Sequence, residues 1–221
     1  MARICLINPR FPTSFWGLNH GLPLLDKKCN MPVLALPTIA GLTPEGHEVV
    51  IRDENIEELD FDAMEGFDII GVTGMTVQRD RMIEILQELK DRGHFTVVGG
   101  PWITVAEGWD RFEGLVDVAF IGEAEETWPK FLEEWQRGEH GSRYEQADKT
   151  DMTKVPMPRY DLVKFREYAM GCVQTSRGCP FQCEFCDIIV IFGRKPRIKT
   201  PEMVVAEVDY QYRQGARMIF L

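Results

Sequence analysis

The 221-residue sequence has no apolar run long enough to cross a bilayer. Towards its carboxyl end the longest is residues 188–192, against the ~18 or more that a spanning helix needs. No transmembrane segment is expected. Residues 1–7 run straight into Asn8 and Pro9, with no long apolar stretch followed by a small-residue cleavage site, so a cytoplasmic location is expected. Cysteine is sparse: Cys5, Cys29, Cys172, Cys179, Cys183 and Cys186 are too few and too clustered for a secreted disulfide framework. In a reducing compartment the clustered ones suggest a metal. There is no Gly-x-Gly-x-x-Gly after the first apolar segment and no Walker lysine, which disfavours dinucleotides and nucleoside triphosphates. Internal repeats and low-complexity tracts are missing as well.

What is present suits a globular core: 44% hydrophobic and 27% charged residues. The length exceeds one minimal domain and falls short of two full ones at roughly 150 residues each, implying one complete domain and a piece of another. Because the sequence stops on an apolar segment, it reads as truncated. Charge is split unevenly: 14 Lys and Arg against 27 Asp and Glu in residues 1–150 (net −13), then 11 against 8 in residues 151–221 (net +3). An acidic first half argues against a nucleic-acid partner, since phosphate binding draws on Lys and Arg.

Five short apolar segments, residues 3–7, 49–52, 68–73, 95–100 and 116–121, read as strands. Between them, residues 79–92 place Met82, Ile83, Ile85, Leu86 and Leu89 at helical spacing, and residues 125–137 do so with Trp128, Leu132 and Trp135. Strands separated by helices imply an α/β fold with a doubly wound parallel sheet. Ligands of such sheets sit beyond the carboxyl ends of the strands, which singles out Asn8 and Pro9, residues 74–78, Gly99 and Gly100, and Gly122 with Glu123. Gly99 and Gly100 would let a ligand approach the backbone, or serve as an ordinary turn.

Polar, proline-punctuated residues 138–168 read as a linker between a first domain (1–137) and a second, incomplete one (169–221). In the second, residues 172–176 read as a strand, 201–214 as a helix with Pro201 at its start, and 216–221 as another strand. Directly after the first of these lie Cys179, Cys183 and Cys186. Three thiols spaced by three and two residues in a loop can wrap one face of an iron–sulfur cube and leave an iron open, whereas structural zinc wants four closed ligands. Cys172 could supply a fourth ligand, although its strand position suggests packing instead.

The Cys-x3-Cys-x2-Cys stretch, with Phe185 before its last cysteine, resembles the signature of the radical S-adenosylmethionine enzymes. A doubly wound domain ahead of it resembles their cobalamin-binding branch, as do Gly-Met-Thr-Val-Gln-Arg at 74–79, Gly-Gly-Pro at 99–101, Gly-Glu-Ala-Glu at 122–125 and Pro-Arg-Tyr-Asp-Leu at 158–162. Residues 174–188 and 192–200 are similar to the hopanoid 2-methylase-like subgroup. The resemblance implies a Rossmann-like cobalamin-binding domain followed by the first strand-helix-strand unit of a partial (β/α)6 barrel. It implies a 4Fe-4S cluster on Cys179, Cys183 and Cys186, S-adenosylmethionine on the open iron, and Phe185 near the adenine or packed within the loop.

None of His20, His47, His94 and His140 lies in the Asp-x-His-x-x-Gly pattern of other cobalamin proteins, so cobalamin is expected without histidine ligation. Thr73, Met75, Thr76, Gln78, Gly99, Gly100, Gly122 and Glu123 are its candidate contacts; residues 75–78 serve alternatively as a helix entry, with Thr76 or Gln78 near the N-terminus, and Glu123 accepts from the cofactor tail or favours the next helix's start. Arg194, Lys195, Arg197 and Lys199 read as a solvated basic face, with contact to S-adenosylmethionine, a reductant or the substrate as the alternative. The implied activity is C-methylation of an unactivated carbon, with one S-adenosylmethionine methylating cobalamin and another generating the radical. Alternatives are a cobalamin-dependent radical cyclase without net methylation and a non-catalytic binding module. The implied partners are a small-molecule or lipid substrate and an external electron donor such as flavodoxin or ferredoxin, with peripheral membrane contact open.

Overall fold

A computed structural model describes residues 1–105 and 114–221. Strands β1 (Arg3–Asn8), β2 (Glu48–Asp53), β3 (Ile69–Thr73), β4 (Thr96–Gly99), β5 (Val118–Ile121) and β6 (Arg143–Glu145) form one parallel sheet in the order β2-β1-β3-β4-β5-β6. Both faces are covered, so the strands read as near-continuous apolar runs. Alternation still sorts their side chains. Ile4 and Leu6 of β1 join Val97, Val118 and Phe120 on the face packed by α1 (Ala35–Leu42) and α4 (Thr127–Arg137). Cys5 and Ile7 join Ile70, Val72 and Val98 on the other, against α2 (Arg79–Asp91) and α3 (Pro101–Val105).

The sheet has one strand more than the five read from sequence. β6 lies within residues 138–168, the stretch expected to be linker, and pairs Arg143, Tyr144 and Glu145 with Ala119, Phe120 and Ile121. Only Tyr144 of the three is buried, stacked on Phe120. A three-residue edge strand with charges on its outer positions carries no apolar period to detect, and such charges blunt an exposed sheet edge.

Beyond the sheet, β7 (Gly171–Cys172) pairs in parallel with β10 (Ile219–Phe220) across α6 (Pro201–Arg213), the strand-helix-strand unit anticipated. Thr200 caps α6, its Oγ1 accepting from Met203 N at 3.3 Å, and Pro201 stands where no intrahelical donor is needed. The single strand expected over 172–176 is instead two. After Val173 N donates to Phe220 O the chain changes partner, and β8 (Ser176–Arg177) pairs antiparallel with β9 (Arg197–Ile198). A short helix, α5 (Ile188–Ile191), lies between them.

The two regions are stitched by a segment that carried no expectation. Between β1 and α1 the chain crosses to the second region, where Cys29 bridges Tyr168 and Ala169 N donates to Cys29 O at 2.9 Å. Among the described residues no helix is long and apolar enough to cross a membrane.

Candidate functional site: a slot and a cysteine loop sharing a wall

The strand order reverses between β1 and β3, and the carboxyl ends of the strands open into a slot of about 220 Å³. Its floor is apolar, with Leu6, Leu36, Val72, Val97, Phe120 and Trp128, and its rim carries Thr73, Gly99, Gly100, Gly122 and Glu123. Gly100 is required there: its φ of +99° lies in the left-handed region, and a side chain would collide with Thr73 Oγ1. The remaining wall, Gln174, Arg177, Ile191 and Phe192, comes from the second region.

The expected contacts in residues 75–78 divide. Met75 and Thr76 are exposed on the loop after β3, outside the slot lining. Gln78 is buried and turned inwards: its Oε1 accepts from Met75 N at 2.9 Å, and its Nε2 donates to Asn8 Oδ1 at 3.1 Å and to Pro9 O. Both donors of that amide are spent within the protein, and the side chain lies outside the slot lining. Gln78 therefore shapes the loop from beneath. Asn8 passes the connection on to Asp53 Oδ1 at 3.0 Å, and Asp53 Oδ2 accepts from the hydroxyl of Tyr168 at 2.7 Å.

Glu123 is likewise engaged by the protein. Arg197 donates to both its oxygens, Nη2 to Oε1 at 2.6 Å and Nη1 to Oε2 at 2.9 Å, while Arg177 Nη1 (3.1 Å) and Thr150 N (3.0 Å) share Oε2. Glu125 holds Arg177 from the other side at 2.5 Å. Burial works against the charged form of Glu123. The hydrogen bonds from Arg197 and Thr150, with the charges of both arginines, outweigh it and hold the carboxyl below its usual range. The basic run also departs from expectation. Arg194 and Lys195 are exposed, but Arg197 is mostly covered and Lys199 is buried, its ammonium on Glu207 Oε1 at 2.5 Å. Tyr160 completes that cluster, donating to Glu207 Oε2 at 2.7 Å. No local signal could have found these pairs, whose members stand up to 74 residues apart.

The six thiols fall into two classes. Cys5 and Cys172 are buried, and burial pushes both thiols up to about 12; Cys29, also desolvated, is pushed up to about 11. Cys172 Sγ donates to Pro32 O at 3.3 Å, so it packs inwards rather than joining the loop. Cys179, Cys183 and Cys186 lie partly or fully exposed between β8 and β9. Gly178, at φ +91°, starts that loop beneath the Lys195 carbonyl, and Cys179 N donates to Gly193 O at 3.1 Å. Free, accessible thiols in one short loop suit a cluster inserted from solution. Among the described residues no three His, Cys, Asp or Glu side chains converge on a single-ion site, and a four-iron cube needs its sulfurs further apart than one ion does. Phe185, beside the last cysteine, is 90% exposed and does not pack into the loop's core. His47, His94 and His140 precede β2, β4 and β6, at the amino edge of the sheet and opposite the slot; His20 lies after β1.

Residues 28–132 match the B12-binding domain family. An uncharacterized methyltransferase of Synechocystis sp. is 41% identical over 215 residues, covering 97% of this chain and 40% of that protein. The hopanoid C-2 methylase of Rhodopseudomonas palustris is 34% identical over 217 residues, covering 97% and 41%. The fold is that of the radical S-adenosylmethionine methyltransferase TsrM from Kitasatospora setae, solved with tryptophan and an S-adenosylmethionine analogue. The TM-score is 0.68 at 17% identity, over 99% of this chain and 47% of that one. With a B12-binding domain in its sheet region and a cysteine loop beside it, the chain is similar to cobalamin-binding radical S-adenosylmethionine enzymes. It is similar to proteins named as methyltransferases, and it spans about two fifths of the length of the curated relatives it matches.

Proposed function

We propose that this chain is the cofactor-bearing part of a C-methyltransferase that acts on an unactivated carbon of a polycyclic lipid. One observation carries the reading: the slot and the cysteine loop share a wall, since Arg177, Ile191 and Phe192 line the slot and also flank residues 179–186. The kinship with a hopanoid methylase supports the lipid class. When bound, S-adenosylmethionine at a reduced cluster supplies a radical initiator, and cobalamin supplies the methyl group.

The residues present fit both groups. Cys179, Cys183 and Cys186 would hold the cluster, with Phe185 exposed alongside for an adenine ring. The slot is far too small for a whole cobalamin and suits the apolar end of its nucleotide tail, with Thr73, Gly99, Gly100 and Gly122 at the rim. The corrin would then lie over the carboxyl edge, facing Met75 and Thr76 on a loop braced by Gln78. Three of the four histidines stand at the opposite edge, which supports a cobalt without an imidazole ligand. The chain's contribution is placement: it keeps the radical source and the methyl source on one side of the sheet and screens water from the slot. Electrons would come from an external donor reaching the exposed loop.

Anaerobically reconstituted protein should bind about four irons per chain and cobalamin. A Cys179→Ala, Cys183→Ala, Cys186→Ala triple variant should lose the iron and keep the cobalamin. Zinc in place of iron, or iron unchanged in the triple variant, overturns the reading.

A further inference from the structure

The cysteine loop leaves and re-enters the fold through two facing residues. β8 and β9 pair antiparallel with Arg177 opposite Arg197, and the three cysteines and Phe185 lie between them, in a segment held further on by Lys149 Nζ donating to Ile191 O at 2.6 Å and by buried Ile191. Two guanidiniums on directly opposed positions repel. Here they are held together by one carboxylate from the other region: Glu123, just past the end of β5, accepts from both, and its oxygens are almost wholly covered. Glu125 supplies the second negative charge, so two carboxylates offset two guanidiniums. Arg197 also donates to Thr150 O and Phe192 O, and Arg177 lies over the Phe192 ring at 5.5 Å. Glu123, Arg177 and Phe192 line the slot, whereas Arg197 does not.

We propose that Glu123 with Arg177 and Arg197 forms a positioning clamp, through which a ligand in the slot orders the cysteine loop. A ligand touching Glu123, Arg177 and Phe192 restrains one foot directly. The shared carboxylate passes that restraint to the other foot, because a bidentate pair holds a guanidinium in one orientation and not a range of them. The loop is then more ordered with the slot filled than with it empty, which is a coupling between two sites rather than a contact within one. This inference rests on the reading of the slot as the cobalamin site.

The test uses the full chain without its cluster, under reducing, oxygen-free conditions. Alkylation rates of Cys179, Cys183 and Cys186 are followed by mass spectrometry with and without hydroxocobalamin, and buried Cys5 and Cys172 report whether the fold is intact. In the wild type, hydroxocobalamin should slow alkylation of the loop cysteines several-fold. Arg197→Gln should bind hydroxocobalamin with nearly unchanged affinity and show no slowing. Arg197→Lys keeps the charge but cannot hold both Glu123 oxygens, so it should show only part of the effect; it carries the test alone if the glutamine variant exposes Cys5 and Cys172. Full slowing in the variants means that the ligand covers the thiols directly, and it overturns the clamp. Binding without slowing in the wild type overturns it as well. No binding to the wild type refutes the slot assignment itself, and the clamp with it.

Discussion

The sheet region and the cysteine-bearing region are held together by opposite means. In residues 3–145 both faces of the sheet are sealed by apolar side chains, with Ile4, Ile70, Leu86 and Phe131 fully buried. In residues 171–221 the strands are two residues long, and the buried interior carries Lys199, Glu207 and Gln211. Apolar packing rewards burial in almost any register of similar volume. An ion pair out of water is costly unless its geometry is met, so it adds little net stability while penalising every wrong arrangement. The difference teaches that the first region is built to stay folded and the second to be placed.

Substitutions break that comparison with graded effects. The largest is expected at Lys199→Met, which strands the Glu207 carboxylate in the interior and should cost about 3–5 kcal/mol in urea unfolding. The double variant Lys199→Met, Glu207→Leu should recover most of the loss; if it does not, the pair is a stability device after all, and the contrast with the sheet region fails. A smaller, pH-dependent effect belongs to Glu123. Its carboxyl is held below the usual range, so its contribution is complete above the unfolded value near ~4.3 and disappears as pH falls through the lower folded value. Urea midpoints of the wild type and Glu123→Gln should run in parallel above about pH 5 and converge below about pH 4. Midpoints that converge only at alkaline pH would contradict this sign. The smallest effect is expected at Phe185→Ala, which should leave stability within about 0.5 kcal/mol because the ring is exposed.

Legibility in the sequence follows the same divide. Strands β1 to β5 and helices α2 and α4 could be read from their apolar period, since each buries its own contiguous pattern. β6 could not, having only Tyr144 to bury. The grouping of the three loop cysteines was readable from spacing, because neighbouring positions in one loop need no fold to bring them together, whereas the place of Cys172 was settled by its burial against Pro32. For Gln78 and Glu123, the partners found within the protein could not be read from the sequence. Their side chains are taken up by Asn8 and Pro9 in the one case and by Arg177 and Arg197 in the other, none of which is a sequence neighbour. Lys199 illustrates the same limit: in a run of basic residues it looks solvated, and only the packing of α6 turns it inwards onto Glu207.

By itself the sequence determined the layered sheet, the edge at which its loops gather and the thiols that stand apart from the rest, because each is written in residues within a turn or a strand of one another. Only the tertiary structure decided what joins the slot to the cysteine loop. That junction is electrostatic and long-range: opposite charges 54 and 74 residues apart meet away from water, where their pairing is strong and directional and leaves no periodic trace along the chain.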